Sequence, residues 1–299
     1  MKNKKFFLAT LSTIVSCCAF HVMADEISAT QVKQWDCGQN CQATLYSDGL
    51  FTIAPIDTTQ EAQMDNYNVT RDLLSTDPIS YSRYHTSAPW YDNEGHFEEI
   101  KRVIISDGVK NIGQATFYID SKEREKSHIE EIILPEGLEE IPYHAFGGIN
   151  ISNISIPNTV KSIASNAFDY SAIENLVIPD SVTSIGSYAF YRCIDLKSVI
   201  LGDNITSIAA NAFSETTAYI YCQEGEGHGG KSCSELTDNA GIKKNKLKIY
   251  TIENGKIKVG SKTYNSFDEL PQYTLRRIYT IDEANAAAGD KNRVSIRYR

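Results

Sequence analysis

The sequence predicts a β-rich repeat solenoid with one short strand in each coil of about 22 residues, preceded by a β-rich cap and followed by a small α+β unit. Three observations carry that prediction. One apolar template returns five times between residues 100 and 213, prolines directly follow three of its strand segments, and a hydrophobic fraction of 41% over 299 residues can bury a sizeable core.

The first 24 residues have the parts of a secretory signal: Lys2, Lys4 and Lys5, an apolar run from Phe6 to about Phe20, and Val22, Met23 and Ala24 before Asp25. Small residues one and three positions before a cut suit a signal peptidase, so cleavage is expected after Ala24. Two other readings of this stretch stay open. The run could be a membrane anchor, although it is short and lacks a charged far flank. Ile14, Val15, Ser16 and Cys17 also resemble a lipobox, which would put a lipid on Cys17. Membrane attachment is expected only in that lipidated case.

Loss of residues 1–24 removes three lysines and no acid, leaving 26 basic against 38 acidic residues, a net −12. Such a surface repels phosphate backbones and anionic lipid, which argues against nucleic-acid partners. Five cysteines remain. Export favours disulfides between the near pairs Cys37/Cys41 and Cys222/Cys233, with Cys193 left over as a small buried hydrophobe.

Residues 25–98 are expected to form the N-terminal cap, because a solenoid exposes the apolar edge of its first coil. Ser47, Asp48 and Gly49 between two alternating runs signal a hairpin. The solenoid is expected over 99–221. Its five coils open at Ile100, Ile129, Ile151, Ile173 and Leu196, and in each an Ile follows 12 residues later and a Phe 17 residues later. The starts lie 29, 22, 22 and 23 residues apart, so the first coil carries an insertion, around Tyr118 to Ser127, whose Asp120, Lys122, Glu123, Arg124, Glu125 and Lys126 predict a solvated loop.

Within a coil, alternating β-branched residues such as those around Leu176 predict a strand, and Pro135, Pro157 and Pro179 end it. Ala-Phe pairs at 145–146, 167–168, 189–190 and 212–213 supply a small residue for close backbone approach and a ring to fill the coil. Ala218 to Tyr221 is a possible sixth strand where the template decays. Residues 222–245 read as a Gly-rich loop pinned by Cys222 and Cys233, and 246–299 as a separate α+β unit with a turn at Asn254 and Gly255, a short helix over Asp282–Ala288, and the string IYTI at 249–252 and again at 278–281. That unit fits a cap, a dimer element or a surface-attachment module.

The strings IPNTVKSIASNAF (156–168) and IPDSVTSIGSYAF (178–190) resemble the BspA-like class of bacterial leucine-rich repeats, and the likeness covers about residues 98–215. It implies a secreted or surface protein that binds other proteins, adhesin-like in several relatives, with a host matrix or cell-surface protein as one class of partner. It names no ligand.

No stretch matches a P-loop, nucleophile elbow, zincin helix or dinucleotide fingerprint, so neither an enzyme nor a small-molecule cofactor is expected. Cys222, His228 and Cys233 could ligate zinc, but a fourth ligand is not evident. Asp120, Glu123 and Glu125 read as loop acids rather than a calcium cradle. If Val103 and Ile105 point inward, two columns face outward on the concave sheet: Ile104, Ile133, Ser155, Val177 and Ile200, bordered by Arg102, Glu131, Asn153, Asn175 and Ser198. An aliphatic stripe with a polar border fits a protein-binding face. It fits equally a stripe that only favours strands or is covered by a flanking region. The alternative function is a structural component of the cell envelope with no soluble ligand.

Overall fold

The computed structural model describes residues 29–73, 82–92, 94–225 and 227–270. The signal, Cys17, the second IYTI string and the 282–288 helix lie outside the described residues.

The cap begins with three antiparallel strands, β1 (Gln31–Gln39), β2 (Cys41–Tyr46) and β3 (Leu50–Pro55), with β4 (Gln63–Met64) on the outer edge of β1. The β2–β3 hairpin turns where Ser47, Asp48 and Gly49 predict it. Asp48 Oδ1 accepts from the Leu50 amide at 3.1 Å, and Gly49 takes the left-handed backbone (φ 86°) that the turn needs. A side hairpin, β5 (Val69–Leu73) with β6 (Ser82–Thr86), and a single-turn helix α1 (His96–Glu99) complete the region.

Strand β3 then pairs in parallel with β7 (Arg102–Ile105), the strand of the first coil, and β7 pairs with β8 (Glu131–Ile133). The cap therefore supplies a rung that the first coil would otherwise lack. Phe51 of β3 meets Trp90 at 5.2 Å and Phe117 at 6.2 Å between ring centroids, and Trp90 Nε1 donates to the Thr116 carbonyl at 3.1 Å. One apolar core consequently runs without a break from Cys37 to Ala240.

Equivalent side chains of the coils lie above one another. Strands β9 (Glu140–Ile141), β10 (Ser162–Ile163), β12 (Ser184–Ile185) and β14 (Ser207–Ile208) form a parallel ladder that puts Ile141, Ile163, Ile185 and Ile208 in register. On the other side β11 (Asn175–Val177), β13 (Ser198–Ile200) and β15 (Tyr219–Gln223) pair in parallel. Phe117, Phe146, Phe168, Phe190 and Phe213 stack with centroids 6.0, 5.4, 5.4 and 5.0 Å apart, all fully buried. The amides of Phe146, Phe168 and Phe190 each donate to the carbonyl of the Ala before the next Phe, at 2.8–2.9 Å. The Ala of each pair is small because the neighbouring coil's backbone passes there. Two residues before the last four rings, His144, Asn166, Tyr188 and Asn211 all adopt φ between 53° and 61°. Asn visits that left-handed region readily. His and Tyr do so here because the repeating turn and its ladder over-determine the backbone.

Three expectations are corrected. The insertion after Phe117 is not wholly a solvated loop: Ile119 and Asp120 are buried, and Asp120 caps a 3-10 turn at Ser121–Lys126 by accepting from the Lys122 amide at 3.0 Å. Its charges are tied down because they reach other coils. Arg124 donates to Asp195 at 3.2 Å and to the Tyr170 carbonyl, and Glu123 accepts from Tyr91 at 3.1 Å. The Gly-rich 222–245 stretch is also more ordered than a loop. It holds the Cys222–Cys233 disulfide, a buried His228, and helix α2 (Cys233–Thr237), begun by a capping box in which Ser232 and Glu235 satisfy each other's amides.

Finally, the segment from Lys246 does not begin a separate unit. Strand β16 (Leu247–Glu253) pairs in parallel with β15, and β17 (Lys256–Val259) and β18 (Lys262–Tyr264) continue the same sheet antiparallel. The unsatisfied edge of β15 is a template for another strand, and the chain itself provides one.

Candidate binding surface

Strand alternation decides what faces out. Val103, Ile105, Ile132, Leu176 and Val199 are buried in the core, as their spacing predicts. Of the outward columns, Arg102 lies in register with Glu131 and Ile104 with Ile133. Arg102, Ile104 and Glu131 are half-buried, and Ile133 is exposed at 36%. Arg102 also stands 3.8 Å from Asp48 of the cap hairpin, so both signs of charge border the aliphatic pair.

The third coil differs from its neighbours. Asn153 and Ser155 are half-buried and lie in no strand, so the outward sheet lapses between β8 and β11. Asn153 Nδ2 donates to Ser152 Oγ at 3.0 Å, while its buried Oδ1 has no hydrogen-bond partner among the described residues.

Beyond that break the surface closes. Asn175, Ser198 and Ile200 are buried, and Ser198 Oγ donates to Asn175 Oδ1 at 2.7 Å. Ile200 forms a second core with Tyr221, Tyr250, Ile257 and Leu270, against which the half-buried Val177 packs. The cause is the β16–β18 extension and the turn after it, which brings Phe267 to 5.3 Å from Tyr250. The ten residues expected to line one face thus fall into an open group, Arg102, Ile104, Glu131 and Ile133, and a covered group, Asn175, Ser198 and Ile200. Asn153, Ser155 and Val177 lie between.

Sequence reasoning missed that the open group continues onto the cap. The β3–β7 register places the half-buried Thr52 beside Ile104, and the open column ends there, because Thr44 next to Thr52 is buried and accepts from Gln34 Nε2 at 3.2 Å. The signal was present in the alternation of Phe51 inward and Thr52 outward. Only the parallel pairing of β3 with β7 gave it meaning.

The covering cluster predicts a pH effect. Burial, then the neighbouring phenols of Tyr264 and Tyr219, pushes Tyr221 up to about 12, against an unfolded value of about 10. Below pH 10 both states hold the proton; as pH rises from 10 towards 12 the unfolded chain releases it first, so stability falls. Urea unfolding of Tyr221→Phe should show a flatter loss across that window than the parent protein. Equal slopes would show that this phenol does not report the cluster.

Two groups of metal-type ligands occur among the described residues. Cys222 and Cys233 are joined as a disulfide, with His228 Nε2 at 3.5 Å from Cys222 Sγ and its Nδ1 at 2.9 Å from the Ile205 carbonyl. Asp92, Glu94 and His96 form the other group, and Lys33 Nζ already occupies it, 3.4 Å from Asp92 and 2.6 Å from Glu94. Burial alone would raise the Asp92 carboxyl, yet its hydrogen bonds to His96 and the nearby Lys33 charge hold it below its ordinary value. Both clusters read as closed structural groups.

A family model for the BspA type leucine rich repeat region matches residues 118–222 in six copies. Those residues are BspA-type leucine-rich repeats. The match runs on to Cys222, past Phe213 where the sequence template decays, and so takes in most of β15. Solved structures similar to the chain include a leucine-rich repeat protein from Eubacterium ventriosum (16% identity, TM-score 0.48, 77% of this chain and 49% of that one). Another is a leucine rich cell surface protein from Faecalibacterium prausnitzii (17%, 0.40, 78% and 59%). A third is the T. pallidum leucine rich repeat protein (21%, 0.36, 68% and 94%). The chain therefore spans about half the length of the Eubacterium ventriosum protein it matches. No curated protein sequence matches it.

Proposed function

We propose that this BspA-type repeat protein is an exported or cell-surface binding protein, without enzymatic activity, that holds a protein partner on the N-terminal half of its outward sheet. The observation that carries the reading is the asymmetry of that sheet. The chain's own hairpin covers Ile200 and its neighbours, whereas Ile133 remains exposed at 36% in register with Ile104 and between charges of both signs. An aliphatic centre with a polar rim is the anatomy of a protein-binding patch. Export is supported by the Cys222–Cys233 disulfide, which persists in oxidising compartments. The partner class that best suits an exported repeat scaffold is a host matrix or cell-surface protein, an adhesin-like role.

The test is binding of the labelled protein to immobilised extracellular matrix and to intact cells. Ile133→Asp should weaken binding by about tenfold or more, the effect of losing a central apolar contact, with an unchanged melting temperature. Ile194→Asp, at a residue 63% exposed away from the outward columns, should leave binding as it was. Equal binding by the parent protein and Ile133→Asp would remove this face from consideration and favour a structural role in the envelope.

A further inference from the structure

Cys37 and Cys41 flank the tight β1–β2 turn. Unlike Cys222 and Cys233, and unlike the pairing expected from the sequence, they are unbonded thiols in this structure; both are fully buried, and their sulfur atoms stand 2.7 Å apart, closer than two unbonded sulfurs rest and within a small movement of a covalent bond. The backbone around them is held. The Cys37 carbonyl accepts from the Asp65 amide at 2.8 Å, and Gly38 pairs with both Cys41 and Met64 across a register shift. A side chain at Gly38 would strike the Gln63 carbonyl, so the bulge that aims Cys37 at Cys41 is built into the sheet. The third free cysteine among the described residues, Cys193, has a different setting, with Ser171 Oγ at 3.4 Å and the Phe168 carbonyl at 3.1 Å from its sulfur.

We propose that Cys37 and Cys41 are an oxidation site and form a second disulfide in the exported protein, leaving Cys193 as the single thiol among the described residues. Each thiol gives up its proton and the pair gives up two electrons as the S–S bond forms. The acceptor is the disulfide of an exported thiol oxidoreductase, which leaves as a dithiol. The bond closes before the cap is fully folded, because in the folded protein neither cysteine reaches solvent. The consequence is symmetry of construction. Each end of the continuous core, at Cys37 in the cap and at Cys233, the first residue of α2, is pinned by a short-range cross-link, while the stacked coils between them are held by packing and hydrogen bonds.

The experiment uses the full mature protein collected from the exported fraction, unfolded in denaturant with N-ethylmaleimide and mapped by mass spectrometry before and after reduction. Cys37 and Cys41 share one tryptic peptide, bounded by Lys33 and Arg71. The expected result is that this peptide is unlabelled before reduction, lighter by two hydrogens than its dithiol form, and doubly labelled after reduction, whereas Cys193 labels throughout. Cys41→Ser should raise the labels on the unreduced protein from one to two. Double labelling of the 34–71 peptide without reduction overturns the proposal, whatever the state of Cys222 and Cys233.

Discussion

Phe168→Ala should cost about 3–5 kcal/mol of stability, the range for removing a buried ring from a core that cannot collapse. Phe168 is the middle ring of the five-ring stack, 5.4 Å from Phe146 on one side and from Phe190 on the other. Its deletion therefore splits the stack into two separate pairs, Phe117–Phe146 and Phe190–Phe213, each with one face opened to the cavity. The loss is a large share of the total stability of an ordinary domain, about 5–15 kcal/mol. Because core packing in a solenoid passes from each coil to the next, the damage should also weaken coupling between the cap side and the hairpin side, broadening or splitting the unfolding transition. Urea unfolding followed by tryptophan fluorescence, which Trp90 places in the cap-side core, and by circular dichroism, which sees all the coils, measures both effects. A loss under about 1 kcal/mol with coincident transitions would mean that the stack fills space without coupling the coils.

The second large effect is a matched pair of glycines. Gly148 (φ 71°) and Gly230 (φ 80°) both have the left-handed backbone, so an Ala at either carries the same conformational penalty of about 1–2 kcal/mol. Their surroundings differ. A Cβ at Gly230 meets nothing within 4 Å, whereas one at Gly148 lands 1.9 Å from the Ile119 carbonyl oxygen. That oxygen belongs to the backbone of the adjoining coil, and the Gly148 amide is already committed to the Asp169 carbonyl at 2.7 Å, so neither side can yield alone. Gly148→Ala should lose on the order of 4 kcal/mol or fail to fold, and Gly230→Ala only the conformational part. Thermal melts that rank the two equally would place the close approach between these coils elsewhere.

The limits of what could be read along the chain show in particular residues. The rungs were legible because the same apolar residue recurs at one offset, and periodicity survives without knowledge of the neighbours. By the same alternation Ile104 and Ile133 fall between buried neighbours, the first half-buried and the second exposed. Ile200 was predicted by the identical rule, yet it is buried, because what covers it comes from residues 250–270, far along the sequence and unrelated to the template. Thr52 was not predicted to continue the outward column, because nothing in its own segment says that β3 runs parallel to a strand that begins about 50 residues later. The insertion at 118–127 looked solvated from its charges, and only the distances to Tyr91, Tyr170 and Asp195 reveal that it straps one coil to others.

The sequence by itself determined the coil length, the inward residues, the positions where each strand ends and the overall negative charge. These are local properties, set by side-chain size, β-branching and proline within one turn of the chain. Which part of the outward face stays open was decided only by the tertiary structure. A solenoid leaves a strand edge at each end, and it is the way β3 at one end and β16 to β18 at the other satisfy those edges that leaves Ile133 in solvent and puts Ile200 under cover.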